Sequence, residues 1–178
     1  VTSRDSVQTV RLDDVPDLLP VDYLKLDVQG AELMVLENAT EVLASCSVVE
    51  CEAEFLPQYV NQPLFSEIEQ ALRRAGFLFH SFLGYGSRFI CPAQPSDGDL
   101  QAPGGQWIWS DALFVRDFRQ WHRMSLQQLR CMAVLLADLY GEYDFALAAL
   151  SEINQRFGLD DLGLVAGHID GVVVPRQV

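Results

Sequence analysis

A change of period inside the stretch Val21-Asp-Tyr-Leu-Lys-Leu-Asp-Val-Gln-Gly-Ala-Glu32 limits what this chain can become. Up to Val28, Leu24, Leu26 and Val28 alternate with Tyr23, Lys25 and Asp27, the two-residue period of a strand. From Gly30 onward Leu33, Leu36, Ala39, Val42 and Leu43 recur at helical spacing, which predicts a helix from about Ala31 to Ala44. A strand that turns directly into an amphipathic helix is the repeating piece of an open α/β sheet. Ligands in such sheets collect at the carboxyl ends of the strands, so Asp27 is placed at the lip of a cleft.

The rest of the first two thirds continues the alternation. Val7, Thr9 and Arg11 interleave with Gln8, Val10 and Leu12 as a strand or extended arm ending at Asp13-Asp14. Ser47 to Phe55 is rich in β-formers and predicts a second, buried strand. Leu64, Phe65, Ile68, Ala71 and Leu72 make one helical stripe, with Pro63 in the first turn and Gly76 as the stop. Phe77 to Leu83 and Trp107 to Arg116 predict two more strands, separated by a loop over 92–106 that holds three Pro and three Gly. Strand-helix-strand-helix-strand order implies a mostly parallel sheet with right-handed crossovers, closed by an antiparallel pair at its end.

Beyond Asp117 the pattern is helical. Ser125 with Gln128 forms a capping box ahead of Leu126, Leu129, Met132, Leu136 and Leu139, and Gly141 ends that helix. Asp144 starts a second helix through Phe145, Leu147, Leu150, Ile153 and Phe157, closed by Gly158. One such pair resembles a single tetratricopeptide-like unit, but a solenoid needs several. The expectation is an α/β body over 1–117 and a helical hairpin with an extended tail over 118–178, the hairpin packing on the sheet or on a second subunit. Val172-Val-Val-Pro175 falls in that tail.

Charge narrows the function. With 25 acidic against 12 basic side chains the net charge is -13, so the surface repels phosphate backbones and anionic lipids; nucleic acid is not an expected partner. No apolar run approaches the roughly 20 residues of a bilayer span and no basic-then-apolar leader opens the chain, which reads as soluble and cytoplasmic. Cys46, Cys51, Cys91 and Cys131 form no CxxC pair and are expected as buried free thiols. The chain opens on Val1 just ahead of a strand, as part of a longer polypeptide would.

Asp27 can orient a hydroxyl, bind a metal or accept a proton, or it can cap the helix that follows. Glu50, Glu52 and Glu54 share one strand face at spacings of about 6–7 Å, so each needs a cation, a donor or water. Lys25 is the obvious partner for one of them. A divalent-metal or substrate site built from Asp27 with Glu52 or Glu54 is the other reading, though no metal-ligand spacing stands out. His80, His122 and His168 are far apart, and Gly84-Tyr85-Gly86 lacks the setting of a nucleotide loop. Trp107 and Trp109 read as core or as cleft wall.

Leu24-Lys-Leu-Asp-Val-Gln-Gly-Ala-Glu32 resembles the hallmark segment of the FkbM family of S-adenosylmethionine-dependent methyltransferases. Val10-Arg-Leu-Asp-Asp14, Glu52-Ala-Glu-Phe-Leu-Pro-Gln-Tyr59, Gln62-Pro-Leu-Phe65, Ala75-Gly-Phe77 and Trp109-Ser-Asp-Ala-Leu-Phe-Val115 are similar to further family blocks and come in the same order. The resemblance implies a Rossmann-like class I methyltransferase sheet, here its C-terminal half, and methyl transfer to a hydroxyl of a small molecule or glycan. It places Asp27, Gln29, Gly30 and Glu32 beside the cofactor and Glu52, Tyr59 and Gln62 on the acceptor side. Asp27 or Glu54 is the implied catalytic base, and no metal is implied. It also places the glycine-rich cofactor loop upstream of Val1, so that these residues alone would hold S-adenosylmethionine poorly. Leu24, Leu26 and Val28 would then lie on an open sheet edge, inviting a homodimer through that edge or the hairpin unless the N-terminal arm covers it. The rival reading is an interaction module that keeps the fold without the cofactor loop; an acidic metal-binding domain is a third.

Overall fold

The computed structural model describes residues 5–99, 101–161 and 163. Val172 to Pro175 and His168 lie outside them. The chain is mixed α/β with one open five-stranded sheet: β1 (Tyr23–Leu26), β2 (Val48–Glu54), β3 (Phe77–Phe82), β4 (Gly86–Arg88) and β5 (Gln106–Arg116). Helices α1 (Glu32–Glu37), α2 (Thr40–Ser45) and α3 (Phe65–Arg74) lie between the first three strands, and α4 (Leu126–Leu135) and α5 (Tyr143–Phe157) follow β5.

Strand order is β1-β2-β5-β3, with β4 also on β5. Only β1 and β2 pair in parallel; β5 runs antiparallel to β2, β3 and β4, which corrects the expected mostly parallel sheet. The reason is an insertion. β1, β2 and β3 all point one way, as their intervening helices require, but β5 slots between β2 and β3 and converts what would have been a parallel contact into two antiparallel ones. The antiparallel pairing expected of the last two predicted strands is present between β3 and β5.

Each sheet face buries its own core. Leu26, Val49, Cys51, Ala53, Ala112 and Phe114 meet Leu36, Val42, Leu43, Ile68 and Leu72 of α1–α3. Val48, Leu113 and Val115, on the opposite face, meet Leu129, Met132, Ala133, Leu150 and Ile153 of α4 and α5. The helical pair is thus one of the two layers on the sheet. Its capping box forms as the sequence predicts: Gln128 N donates to Ser125 Oγ at 3.2 Å and Ser125 N to Gln128 Oε1 at 3.0 Å. After Leu135 the backbone widens into a π-helical turn, Leu136–Tyr140, before Gly141 ends it at φ 69.

Several local expectations change. The helix predicted over 31–44 breaks at Asn38–Ala39, and α2 restarts on the Asp13 carboxylate, which accepts from Val42 N at 3.0 Å and Glu41 N at 3.1 Å. Burial works against that charge, but these amides outweigh it and hold the Asp13 carboxyl below its ordinary range. Asp13→Ala should therefore lower stability by about 1 kcal/mol, the usual worth of a helix cap, in a urea titration where Asp13→Asn loses less. Pro63 precedes the N-cap Leu64 of α3 rather than occupying its first turn; Glu67 serves the Leu64 amide at 3.0 Å. Residues 7–11 are exposed and form no strand, so β1 has no strand partner on its outer edge among the described residues. Cys46 and Cys51 are buried free thiols, Cys46 pushed by burial up to about 12, whereas Cys91 is exposed and Cys131 half-buried. No described helix is long and apolar enough to cross a membrane.

Candidate functional site

The carboxyl ends of the two parallel strands face each other across the sheet, so the loop after β1 (27–31) and the loop after β2 (55–64) meet. The first loop is held by Glu32. Its Oε1 accepts from Val28 N at 2.8 Å and its Oε2 from Gly30 N at 2.9 Å, and the side chain is fully buried. Gln29 and Gly30 both take positive φ, 55 and 98. Gly30 packs so closely on the second loop that an added Cβ would come within 3.2 Å of both Tyr59 and Gln62. Gln62 closes its own loop, accepting at Oε1 from Gln58 N at 2.7 Å and Tyr59 N at 3.1 Å.

These braces leave a polar cluster facing out. Gln29 Nε2 donates to Asp27 Oδ1 at 2.8 Å and to Glu52 Oε2 at 2.9 Å, while its Oε1 accepts from the Tyr59 hydroxyl at 3.2 Å. Asp27, Gln29 and Tyr59 are exposed and Glu52 is half-buried. Burial first, then a hydrogen bond shared with Asp27 and the charges of Asp27, Glu54 and Asp111, push the Glu52 carboxyl up to about 7. A carboxylate beside another, as Asp27 is here, disfavours the charged form of its neighbour. Glu54 is only 2 % exposed. Burial and the neighbouring Glu32 charge raise it too; the Gln62 amide faces it, yet Glu54 Oε2 and Gln62 Nε2 both lack a hydrogen-bond partner among the described residues.

The cluster grades into an ion-pair network along the same face. In register with Lys25, Glu50 receives its ammonium, together with the hydroxyls of Tyr23 at 3.0 Å and Tyr140 at 2.6 Å. Burial alone would raise Glu50, but these three donors win and hold it below the usual range; bonded to Glu50, Lys25 moves up. Asp111, opposite Glu52 on β5, lies 3.7 Å from the Lys25 ammonium. Tyr140 had no sequence signal: it arrives from the π-helical turn, far along the chain, and ties the C-terminal helices to the polar face.

Of the residues singled out at this end of the sheet, Asp27, Gln29, Glu52 and Tyr59 form the outward-facing cluster, while Glu54 and Gln62 are buried behind it. Glu32 and Gly30 are turned into the protein as loop brace and loop contact. His80 sits elsewhere, 3.1 Å from Glu142 and edge-on to Phe145, and His122 is exposed. Trp107 stacks on Tyr85 with ring centroids 4.2 Å apart. No group of three His, Cys, Asp or Glu with metal-holding geometry occurs among the described residues.

The chain is an α/β domain with acidic and amide side chains at the carboxyl ends of adjacent parallel strands, the place where ligands collect in open α/β sheets. Residues 1–79 match the family model described as the Methyltransferase FkbM domain. The match takes in β1, β2 and both loops of the cluster. No curated protein and no solved structure matches the chain.

Proposed function

We propose that the chain serves an S-adenosylmethionine-dependent methyltransferase acting on a hydroxyl of a small molecule or glycan, with Asp27 and Glu52 together receiving the hydroxyl proton. The observation that carries this is the pair of carboxyl groups, Asp27 and Glu52, bridged by the Gln29 amide at the carboxyl ends of β1 and β2, with Glu52 raised to about 7, inside the segment that matches the FkbM domain. A base poised near neutrality suits removal of an alcohol proton as the oxygen is alkylated. The strand directions support reading the sheet as part of a Rossmann-like class I methyltransferase fold, with residues 118–178 an addition to the domain.

The donor set suits a cationic cofactor. S-adenosylmethionine, when bound, supplies an electrophilic methyl on a positively charged sulfur, and the exposed Asp27 carboxylate and Gln29 amide are the groups here that can hold its polar atoms. Glu52 and Asp27 take the acceptor's proton, Gln29 fixes both carboxylates through its two donated bonds, and Tyr59 fixes Gln29. Holding the acceptor oxygen in one orientation supplies most of the rate enhancement available to such a site. Glu54, buried behind the pair, adds its charge to the burial and the Asp27 contact that raise Glu52, and at 2 % exposure it does not face a solvent-side hydroxyl.

Calorimetric titration with S-adenosylmethionine, run on a parent chain that includes any upstream sequence and on its Asp27→Ala variant, tests the reading. We expect binding heat that falls at least about tenfold in affinity on the substitution. Identical titrations for the two proteins, or transfer of a labelled methyl that survives Asp27→Ala, would remove Asp27 from the site. Absence of both heat and transfer in a parent chain that includes any upstream sequence would favour an interaction module instead.

A further inference from the structure

The opposite end of the sheet carries the reverse charge. Four of the chain's 12 Lys and Arg side chains, Arg73, Arg74, Arg116 and Arg123, line one half-open pocket of about 370 Å³ between the end of α3, the end of β5 and the turn before α4. They come from three separate pieces of chain, so the fold assembles the cluster. In a protein of net charge -13 that concentration is a large local exception.

The arginines are not used up within the protein. Among the described residues Arg74 has no ion pair or hydrogen bond, and Arg123 has only a long contact of 3.4 Å to Gln120 Oε1. Arg73, itself exposed, has a single partner, the half-buried Glu69, at 3.3 Å. Asp117, the one carboxylate on the pocket wall, is bidentate to Arg119, at 2.8 and 2.7 Å, and so is unavailable to the others. Arg116 forms the floor: its guanidinium donates to Cys46 O at 2.7 Å, to Ala75 O at 3.0 Å and to Leu43 O, which leaves two of its five N–H groups free. Arg73 and Arg74 in the last turn of α3 also answer that helix's dipole, but Arg116 and Arg123 are outside the helix and add charge that the dipole does not need.

We infer that this pocket binds a small phosphate-bearing anion through Arg74 and Arg123, with Arg116 as its fixed floor. Guanidinium forks match phosphate oxygens two at a time, and clustered arginines without carboxylate partners repel one another until an anion enters. The site lies beyond the sheet from the Asp27–Glu52 cluster and does not depend on the methyltransferase reading.

Pyrophosphate and inorganic phosphate are the probes, titrated into the full chain by calorimetry at constant ionic strength, with melting temperature as a second readout. Binding in the millimolar range or tighter, stronger for pyrophosphate, is expected, and Arg74→Ala with Arg123→Ala together should weaken it about tenfold or more while leaving the unliganded melting temperature within a degree or two, since both side chains are exposed. Equal binding by the double variant would mark the interaction as diffuse charge attraction and overturn the site. So would no heat with either probe at about 10 mM, a concentration that would populate any site of useful affinity. Binding of an acidic peptide but of neither phosphate probe would also overturn it, and would assign the patch to a protein partner.

Discussion

Glu52→Gln should make the protein more stable above pH 7 while removing most of its methyl transfer. Native Glu52 keeps its proton up to about pH 7, whereas an unfolded glutamate releases it near its ordinary value of 4.5. Between those two values the folded state binds more protons than the unfolded one, so stability falls as pH rises through the window and the full contribution is present only below it. Glutamine imitates the protonated acid and cannot acquire the unfavourable charge. Because the group is half-buried and screened, the gain at pH 8 is about 1–2 kcal/mol rather than the full value of the shift, vanishing near pH 4. Gln29 still finds an oxygen to donate to in the variant, so the loop should hold.

Activity moves the other way. Without a proton acceptor at Glu52 the transfer rate should drop about 10²–10⁴-fold, the ordinary contribution of a general base. The wild-type rate should rise with pH through the Glu52 value of about 7, and Asp27→Asn, which removes a neighbouring charge, should shift that inflection downward. Chemical denaturation at pH 4 and pH 8 checks the first half, and initial rates across the same range check the second. A variant with wild-type rates would place the base elsewhere, and one with unchanged stability at pH 8 would show that the two carboxylates are not forced together.

How much of this was visible in the chain depends on the distance over which each feature is encoded. β1, β2 and β5 were legible because alternation of apolar and polar residues is local, and Lys25 could be matched with the glutamates of β2 before their register was known. Asp27 could be set at a cleft lip from the strand-to-helix turn alone, whereas Gln29, Glu52 and Tyr59 were set beside it by the family resemblance. The insertion of β5 between β2 and β3 was not legible, since pairing order depends on which edges meet after some 50 residues of chain. Nor was the break at Asn38–Ala39, because the cap that restarts α2 is Asp13, a residue outside the helix. β4 hid in Gly84-Tyr85-Gly86: Gly86 is there because a Cβ would fall 2.3 Å from the Trp109 indole nitrogen, a reason that no local pattern carries. Glu32 matched a cofactor motif by position, yet its two oxygens are spent on the backbone that shapes the loop.

Arg116→Leu should be the most destabilising single change at the far end of the sheet. α2 and α3 both stop against the end of β5, and a helix leaves its last carbonyls without internal partners. Arg116 reaches three of the carbonyls there, Leu43 and Cys46 at the end of α2 and Ala75 at the end of α3, while its plane lies 4.2 Å over the Phe77 ring. Burial disfavours the charge and lowers the arginine below its ordinary value, but it stays far above any pH at which the protein folds. Leucine fills part of the volume and strands the carbonyls away from water, at a cost of about 3–5 kcal/mol, the range seen when a buried charge-assisted network loses its centre. Arg116→Lys keeps the charge but cannot fork to three acceptors, and should lose about half as much. Urea titration of both variants would show midpoints ordered wild type, lysine, leucine. If lysine and leucine fell equally, the stacking on Phe77 and the planar fork would carry the effect and the charge facing two helix ends would not.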